Sequence, residues 1–336
     1  MIRKTDIDTI RISEQESLQI PVNASSLTYP PSGSYEPFLD GARDAMANAY
    51  APKTLAAIRA MAGTGSGVLV IEGLPFDASV TRGLADPEVA LANKPTDLSE
   101  AILGGTVKLI GEPYAILQEG RGLISHLSPK RSHLMSNTGL GAILELAEHI
   151  ENSAARLLPG DRAPDGLALI GVAKERDTSP GTIVADGRLA FASRPAKAQA
   201  ILRDPERFSI RFPERWRKEG FPEKLPTAIA YGEGADMTFV ASLYGDMTEG
   251  NDPEAQRELK AFAEALHAIS VDLHLEPGKL ALISNRAIFH GRRGFQPAFD
   301  ADGLPYRFLQ RLFWTSSLDR FGNWPRIRGR LINPRP

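Results

Sequence analysis

The stretch Leu280 to Trp314, LALISNRAIFHGRRGFQPAFDADGLPYRFLQRLFW, constrains the fold more than any other part of the chain. It reads as an apolar strand running to a histidine (His290), an arginine-rich bend, and a second strand with two further arginines. In YRFLQRLFW a period of two sets Arg307, Leu309, Arg311 and Phe313 on one face and Tyr306, Phe308, Gln310 and Leu312 on the other. Neither face is polar throughout, so both are expected to be covered, and a covered guanidinium keeps its proton and must find an anion. At ~3.3 Å per residue the two arginines stand on the order of 13 Å apart, too far to grip one carboxylate together. They serve separate anionic groups: either two parts of a ligand site, or two structural ion pairs with the chain's own acids.

Composition removes several classes of function. The 336 residues are 42% hydrophobic, enough for a sizeable core in one large domain or two. Lys and Arg number 39 against 41 Asp and Glu, and no stretch concentrates basic residues with interleaved aromatics, so a nucleic-acid partner is not expected. The absence of cysteine excludes disulfides, thiolate metal sites and thiol nucleophiles at once. MIRKTDIDTI lacks the apolar run of a signal peptide, and no segment reaches membrane-span length. A cytoplasmic protein without membrane attachment is the expectation.

Along the chain, Asp6 to Ile12 suggests an edge strand before a short helix. Helical spacing over Glu36 to Met61, broken at Pro52, predicts two helices, and GVLVIEG at Gly67 to Gly73 a buried strand. Leu98 to Leu109 reads as a helix with Thr96 and Asp97 as possible caps. Tyr114 to Leu127 looks extended, with Gln118, Glu119, Gly120 and Arg121 near its centre. Strands are expected at Leu167 to Ala173, Thr227 to Tyr231 and Met237 to Tyr244, another strand or a hairpin arm at Gly181 to Phe191, and a short helix at Pro195 to Arg203. GDMTEGNDP, Gly245 to Pro253, has the composition of a mobile loop, and Asp252 caps a helix reaching about Val271. Many short strands in the last two thirds, with helices mostly before them, suggest an antiparallel β core flanked by helices.

SNTGLGAILELAEHIE, Ser136 to Glu151, supports two readings. Ile143, Leu146, Ile150, Ala154 and Leu157 form a helical stripe, and on a helix His149 and Glu151 lie about 200° apart and cannot share an ion. In extended chain the same two side chains point one way and can. Local propensity favours the helix. A histidine, a carboxylate two positions later and a second histidine far downstream are the ligand set of a facial triad, which leaves open coordination positions and suits non-haem Fe(II). His149, Glu151 and His290 provide that set; by itself HxE is a weak pattern, and His126 and His133 could supply alternative ligands.

These segments resemble a known family. SNTGLGAILELAEHIEN is similar to the metal loop of the clavaminate synthase-like branch of Fe(II)/2-oxoglutarate oxygenases, in the TauD-like superfamily, where Ser-x-Thr precedes Leu-x-x-His-x-Glu. NRAIFHGRRGFQPAFDADGLPYRFLQR is similar to the branch's C-terminal signature, Asn-Arg-x-x-x-His-Gly-Arg, Phe-x-Pro-x-Phe-Asp and Arg-Phe-Leu-x-Arg, and weaker echoes occur at QEGRG and LYGD. The resemblance covers about residues 114 to 314 and overrides the local helical preference at His149. It implies a double-stranded β-helix, or cupin-like jelly roll, flanked by helices: a single domain over 1–336, with a mostly helical flank at 1–112, the jelly roll at 113–320 and a lid near 245–253. It implies His149, Glu151 and His290 as iron ligands, Arg307 on the distal carboxylate of 2-oxoglutarate, and Arg311 near the cosubstrate or substrate acid group.

The same resemblance implies an Fe(II)-, 2-oxoglutarate- and O2-dependent hydroxylase of an unactivated carbon, releasing succinate and CO2, whose substrate is an amino acid or derivative. Gln118, Ser136, Asp246 and Arg311 are the implied substrate contacts. Three departures bear on this. Thr248 stands where a second acid is often found, Gly139 where a serine often holds the substrate carboxylate, and AFDADGLPY is longer than the usual interval. A jelly-roll binding protein without turnover is the alternative class, and desaturation or cyclisation of a modified or cyclic peptide the alternative outcome.

Overall fold

The structure, a computed structural model, describes residues 3–63, 67–84, 94–120, 122–176, 178 and 180–336. Arg121 of the QEGRG stretch lies outside them. Among the described residues no helix is long and apolar enough to cross a membrane.

The run GLALIGVA forms the strand Gly166–Ala173, buried at all eight positions. Such a strand needs cover on both faces. Ala168, Ile170 and Val172 face a helical layer, joined there by Phe308, Leu312 and Trp314 of the strand Phe308–Thr315. Leu167, Leu169, Leu309 and Phe313 face the other way into a second core. The alternation read from YRFLQRLFW is therefore realised. A large sheet follows the order Asp8–Arg11, Val68–Glu72, Lys279–Ser284, Gly166–Ala173, Phe308–Thr315, Glu112–Ile116, Leu331–Ile332 and Arg326–Ile327, with Ser125–Leu127 also on Phe308–Thr315.

A four-stranded sheet, in the order Val271–Leu273, Thr182–Asp186, Ile288–Arg292 and Leu146–His149, lies opposite. Its Val184 and Ile288 meet Leu167, Leu169 and Ile283 of the large sheet, so the two sheets enclose one apolar core. Ala185 and Phe289 point outward onto Leu259, Phe262 and Leu266 of the helix Pro253–Ile269, whose first turn is capped by the Asp252 carboxylate. The helices Glu36–Ala49 and Leu98–Lys108 cover the outer face of the large sheet through Phe38, Leu39, Met46, Ile102, Leu103 and Val107. A Cβ at Gly105 would stand 2.3 Å from the Ala42 carbonyl oxygen, so this crossing requires glycine. The architecture is mixed helix and sheet.

Several expectations change. Gly181 to Phe191 is not one strand: pairing ends at Asp186, whose carboxylate caps the helix Gly187–Ala192. Thr227 ends the strand Lys224–Thr227, Ala230–Tyr231 pairs with Thr238–Phe239 around a turn with Gly232 at φ 71°, and Ser242 makes a single bridge to His149, so neither range is one continuous strand. Within Gly245 to Pro253, Thr248–Gly250 pairs with Phe208–Arg211, and Thr248 Oγ1 accepts from the Ser242 amide at 2.8 Å, so a continuous loop over that range is corrected to a shorter one before Thr248. Asp97 caps no helical amide and instead accepts from Tyr29 N at 2.9 Å.

Candidate active site

The segment around His149 is extended, not helical. Leu146–His149 pairs with Ile288–Arg292, and His290 sits directly opposite His149 in that register. Tertiary pairing overrides local helix propensity here. Glu151 follows immediately, its backbone fixed by buried Asn285: Glu151 N donates to Asn285 Oδ1 at 2.7 Å, and Asn285 Nδ2 donates to the Glu151 carbonyl at 2.9 Å and the Pro164 carbonyl at 3.1 Å. Asn152 then turns the chain at φ 49°, a left-handed conformation that asparagine tolerates. Glu151 is thus aimed by a strand on one side and a pinned turn on the other.

These constraints bring two imidazoles and a carboxylate together. The rings of His149 and His290 lie 4.3 Å apart, His290 Nε2 is 3.7 Å from Glu151 Oε2, and one ligand atom from each of the three residues falls within 4.8 Å of the others. An ion bound at about 2.1 Å separates neighbouring ligand atoms by about 3 Å, so the cluster fits a metal after slight closure. His149 Nδ1 contacts the Ala147 carbonyl at 2.9 Å, which leaves Nε2 as its free donor atom. His126 and His133 belong to no such cluster among the described residues.

The electrostatics suit metal binding. Burial, then the neighbouring His290, pushes the His149 imidazole down to about 3, so it is neutral at pH 7. Burial alone would raise Glu151, but the Arg311 charge and the His290 hydrogen bond hold it well below the usual carboxylate range. Two available imidazole nitrogens and an ionised carboxylate are what a divalent ion requires.

Arg311 donates to Glu151 Oε2 at 2.7 Å and to Glu119 Oε2 at 3.3 Å, and Arg215 donates to Glu119 Oε1 at 3.1 Å. Arg311 therefore engages the chain's own acids. Arg307 does not. It is buried, its guanidinium lies 5.5 Å from the Phe295 ring centre, and no hydrogen bond or ion pair reaches that guanidinium among the described residues. Burial first, and the nearby Arg292 second, lower it to about 10. A buried cation without a partner is a waiting anion site.

A cavity of about 530 Å³ opens over the triad, lined by His149 and Glu151 and by Gln118, Glu119, Arg215, Tyr244, Arg311, Tyr35 and Arg328. Gln118 Nε2 donates to Asn333 at 2.9 Å while its buried Oε1 has no partner. Ser136 lies beside the lining residues Asn137 and Thr138, bonded to the Thr138 hydroxyl at 2.8 Å. Asp246 is not in the lining; its exposed carboxylate is 3.3 Å from Arg211 Nε. Sequence reasoning assigned no role to Glu119, Arg215, Tyr244, Asn285 or Arg328. Asn285 and Glu119 sit inside the quoted motifs, whereas Arg215, in PERWRKEG, reads as an ordinary solvated charge.

Among known proteins, the chain is similar to non-haem iron oxygenases and to the TauD family. Residues 181–312 match the Taurine catabolism dioxygenase TauD, TfdA family. An L-lysine 3-hydroxylase of Catenulispora acidiphila is 27% identical over 276 residues, 80% of this chain and 73% of that protein. An L-asparagine oxygenase of Streptomyces coelicolor is 29% identical over 259 residues, 76% and 72% of the two chains. Among solved structures, asparagine oxygenase with Fe(II), hydroxyasparagine and succinate superimposes with a TM-score of 0.82 at 23% identity, covering 97% of this chain and 99% of that one. The non-haem iron oxygenase OrfP with Fe and alpha-ketoglutaric acid gives 0.80 at 22% identity, covering 97% and 100%.

Proposed function

We propose that this enzyme hydroxylates an unactivated carbon of a free amino acid or amino-acid derivative. The observation that carries the reading is the convergence of His149, Glu151 and His290, with His149 and Glu151 lining a cavity large enough for such a substrate. The relatives named for lysine and asparagine support the substrate class. Residues 1–336 form one oxygenase domain in this reading, with the two facing sheets as halves of a jelly roll. Alternate strands falling in opposite sheets support that description.

His149, Glu151 and His290 would hold the iron, and Arg307 the distal carboxylate of 2-oxoglutarate. When bound, iron and 2-oxoglutarate supply with O2 the oxidant for C–H hydroxylation, with succinate and CO2 as by-products. The chain's own contribution is orientation and exclusion of water. Asn285 fixes the Glu151 backbone, Arg311 keeps the Glu151 carboxylate ionised and directed, and the apolar core between the sheets closes the site from below. Gln118, with a buried acceptor facing no protein donor, is suited to a substrate ammonium group. Ser136 and Arg311 are placed beside the same cavity. Asp246 would join them only if the short loop before Thr248 closed as a lid and released Arg211.

The test is succinate release under iron, O2 and 2-oxoglutarate across an amino-acid panel, with a gain of one oxygen atom sought by mass spectrometry. Substrate-dependent release with that gain supports hydroxylation. Iron binding without release for any member favours the binding-protein reading.

A further inference from the structure

We infer that Arg328 sets substrate specificity by anchoring a second anionic group at the end of the substrate remote from the iron, so that the preferred substrate is an amino-acid derivative with a distal carboxylate. This rests on the amino-acid oxygenase reading and adds the charge of the side chain. The described charged side chains of the cavity lining are Glu119, Glu151, Arg215, Arg311 and Arg328, beside three histidines. Both acids are committed. Glu151 is a metal-ligand candidate and takes Arg311; Glu119 takes Arg311 and Arg215 together. No acid of the described lining is left to receive an ammonium or guanidinium side chain, and Asp246 is occupied by Arg211 outside the lining.

Arg328 is the described lining cation with no carboxylate partner. Glu36, on the neighbouring helix, is taken by Arg330, which donates to both of its oxygens at 2.6 Å. Arg328 is nonetheless held in place. Its Nε donates to the Gly33 carbonyl at 2.6 Å, one terminal nitrogen donates to the Pro30 carbonyl at 2.5 Å, and its guanidinium stacks 3.9 Å from the centre of the Tyr35 ring. Its backbone, at φ 54°, adopts a conformation uncommon for a non-glycine residue. Carbonyls and an aromatic face orient a guanidinium without neutralising it, which preorganises it for an incoming anion. Tyr35 and Arg328 line the same cavity as His149 and Glu151, with no contact to either, and at about 530 Å³ the cavity exceeds what a small amino acid fills.

The experiment uses the whole iron-loaded protein with 2-oxoglutarate. Succinate release without any amino acid first establishes the oxygenase chemistry by itself. Anaerobic calorimetry then compares a series of ω-carboxyl amino acids, from L-aspartate and L-glutamate to L-2-aminoadipate and L-2-aminopimelate, with their ω-amide and ω-amine counterparts. A charge-assisted contact predicts that at least one acid binds about 10- to 100-fold tighter than its isosteres. Arg328→Gln should collapse that ratio towards one, and Arg328→Lys should retain part of it; a melting curve for each variant identifies misfolding. Tighter binding of the amides or amines, no member binding, or an acid-to-amide ratio that survives Arg328→Gln in a folded variant overturns the inference. Any of those results in a protein that converts 2-oxoglutarate leaves the oxygenase reading standing, whereas absence of conversion strikes that reading instead.

Discussion

Replacing Arg307 by methionine should raise the stability of the ligand-free protein while weakening its hold on 2-oxoglutarate. Burial, with Arg292 second, lowers the guanidinium from 12.5 to about 10. At 1.36 kcal/mol per unit this is a penalty of about 3 kcal/mol on the charged form, in order of magnitude. The folded value lies below the unfolded one, so the unfolded chain holds this proton more tightly. The cost is present in full below pH 10 and fades only as pH rises from about 10 to 12.5. Methionine keeps much of the length without the charge, so the variant should gain about 1–3 kcal/mol without ligand, or about 1–4 °C in Tm for a chain of this size. The same change removes the proposed partner of the cosubstrate carboxylate, worth about 1.5–3 kcal/mol, or a roughly 10- to 150-fold weaker Kd. Melting curves with and without 2-oxoglutarate separate the two signs: the variant should start higher and gain less. A variant that melts below the parent without 2-oxoglutarate, or that gains the parent's full shift with it, contradicts the reasoning.

Three further outcomes are expected. His290→Ala should weaken iron binding by more than about 100-fold in an anaerobic metal titration, since it removes one of the three proposed ligands; near-parental affinity would exclude His290 from the site. Asn285→Ala leaves the Glu151 amide and carbonyl unpaired in a buried turn and should cost about 3 kcal/mol, read as a lower denaturant midpoint at unchanged slope. Burial lowers His126 to about 4, so the unfolded chain protonates first and stability drains away as pH falls from about 6.5 towards 4. His126→Gln should flatten that acid limb by up to about 1.4 kcal/mol per pH unit; identical limbs for parent and variant would show that the imidazole plays no part in it.

Legibility in the sequence tracked the range of the interactions involved. The two-residue period at Arg307 to Phe313 and the helix Pro253–Ile269 were readable because each buried face is written in the local pattern. His149 was not readable locally: its extended form depends on pairing with a strand that begins at Ile288, and only the spaced motif pointed to it. The helix Gly187–Ala192 was hidden because TIVADGRLAF is apolar enough for a strand until the Asp186 cap is seen. Asp246 shows the same limit in the site, since a motif position does not reveal that the side chain stands exposed beside Arg211, outside the cavity lining. Arg328 carried no signal at all; its significance arises from Tyr35 and two carbonyls nearly 300 positions earlier.

The order of charges through the cavity links its two ends. Glu151, Arg311, Glu119 and Arg215 alternate in sign, each in contact with the next. Such a chain neutralises itself, which keeps the Glu151 carboxylate ionised for the metal and consumes every described lining acid at the inner end. A substrate entering there meets groups whose charges are already balanced, so the inner wall can orient it but has little capacity to select among side-chain charges. Selection by charge must then fall to the one described lining cation that stands outside this alternating series, Arg328, and in the proposed reading the specificity of the reaction is set there.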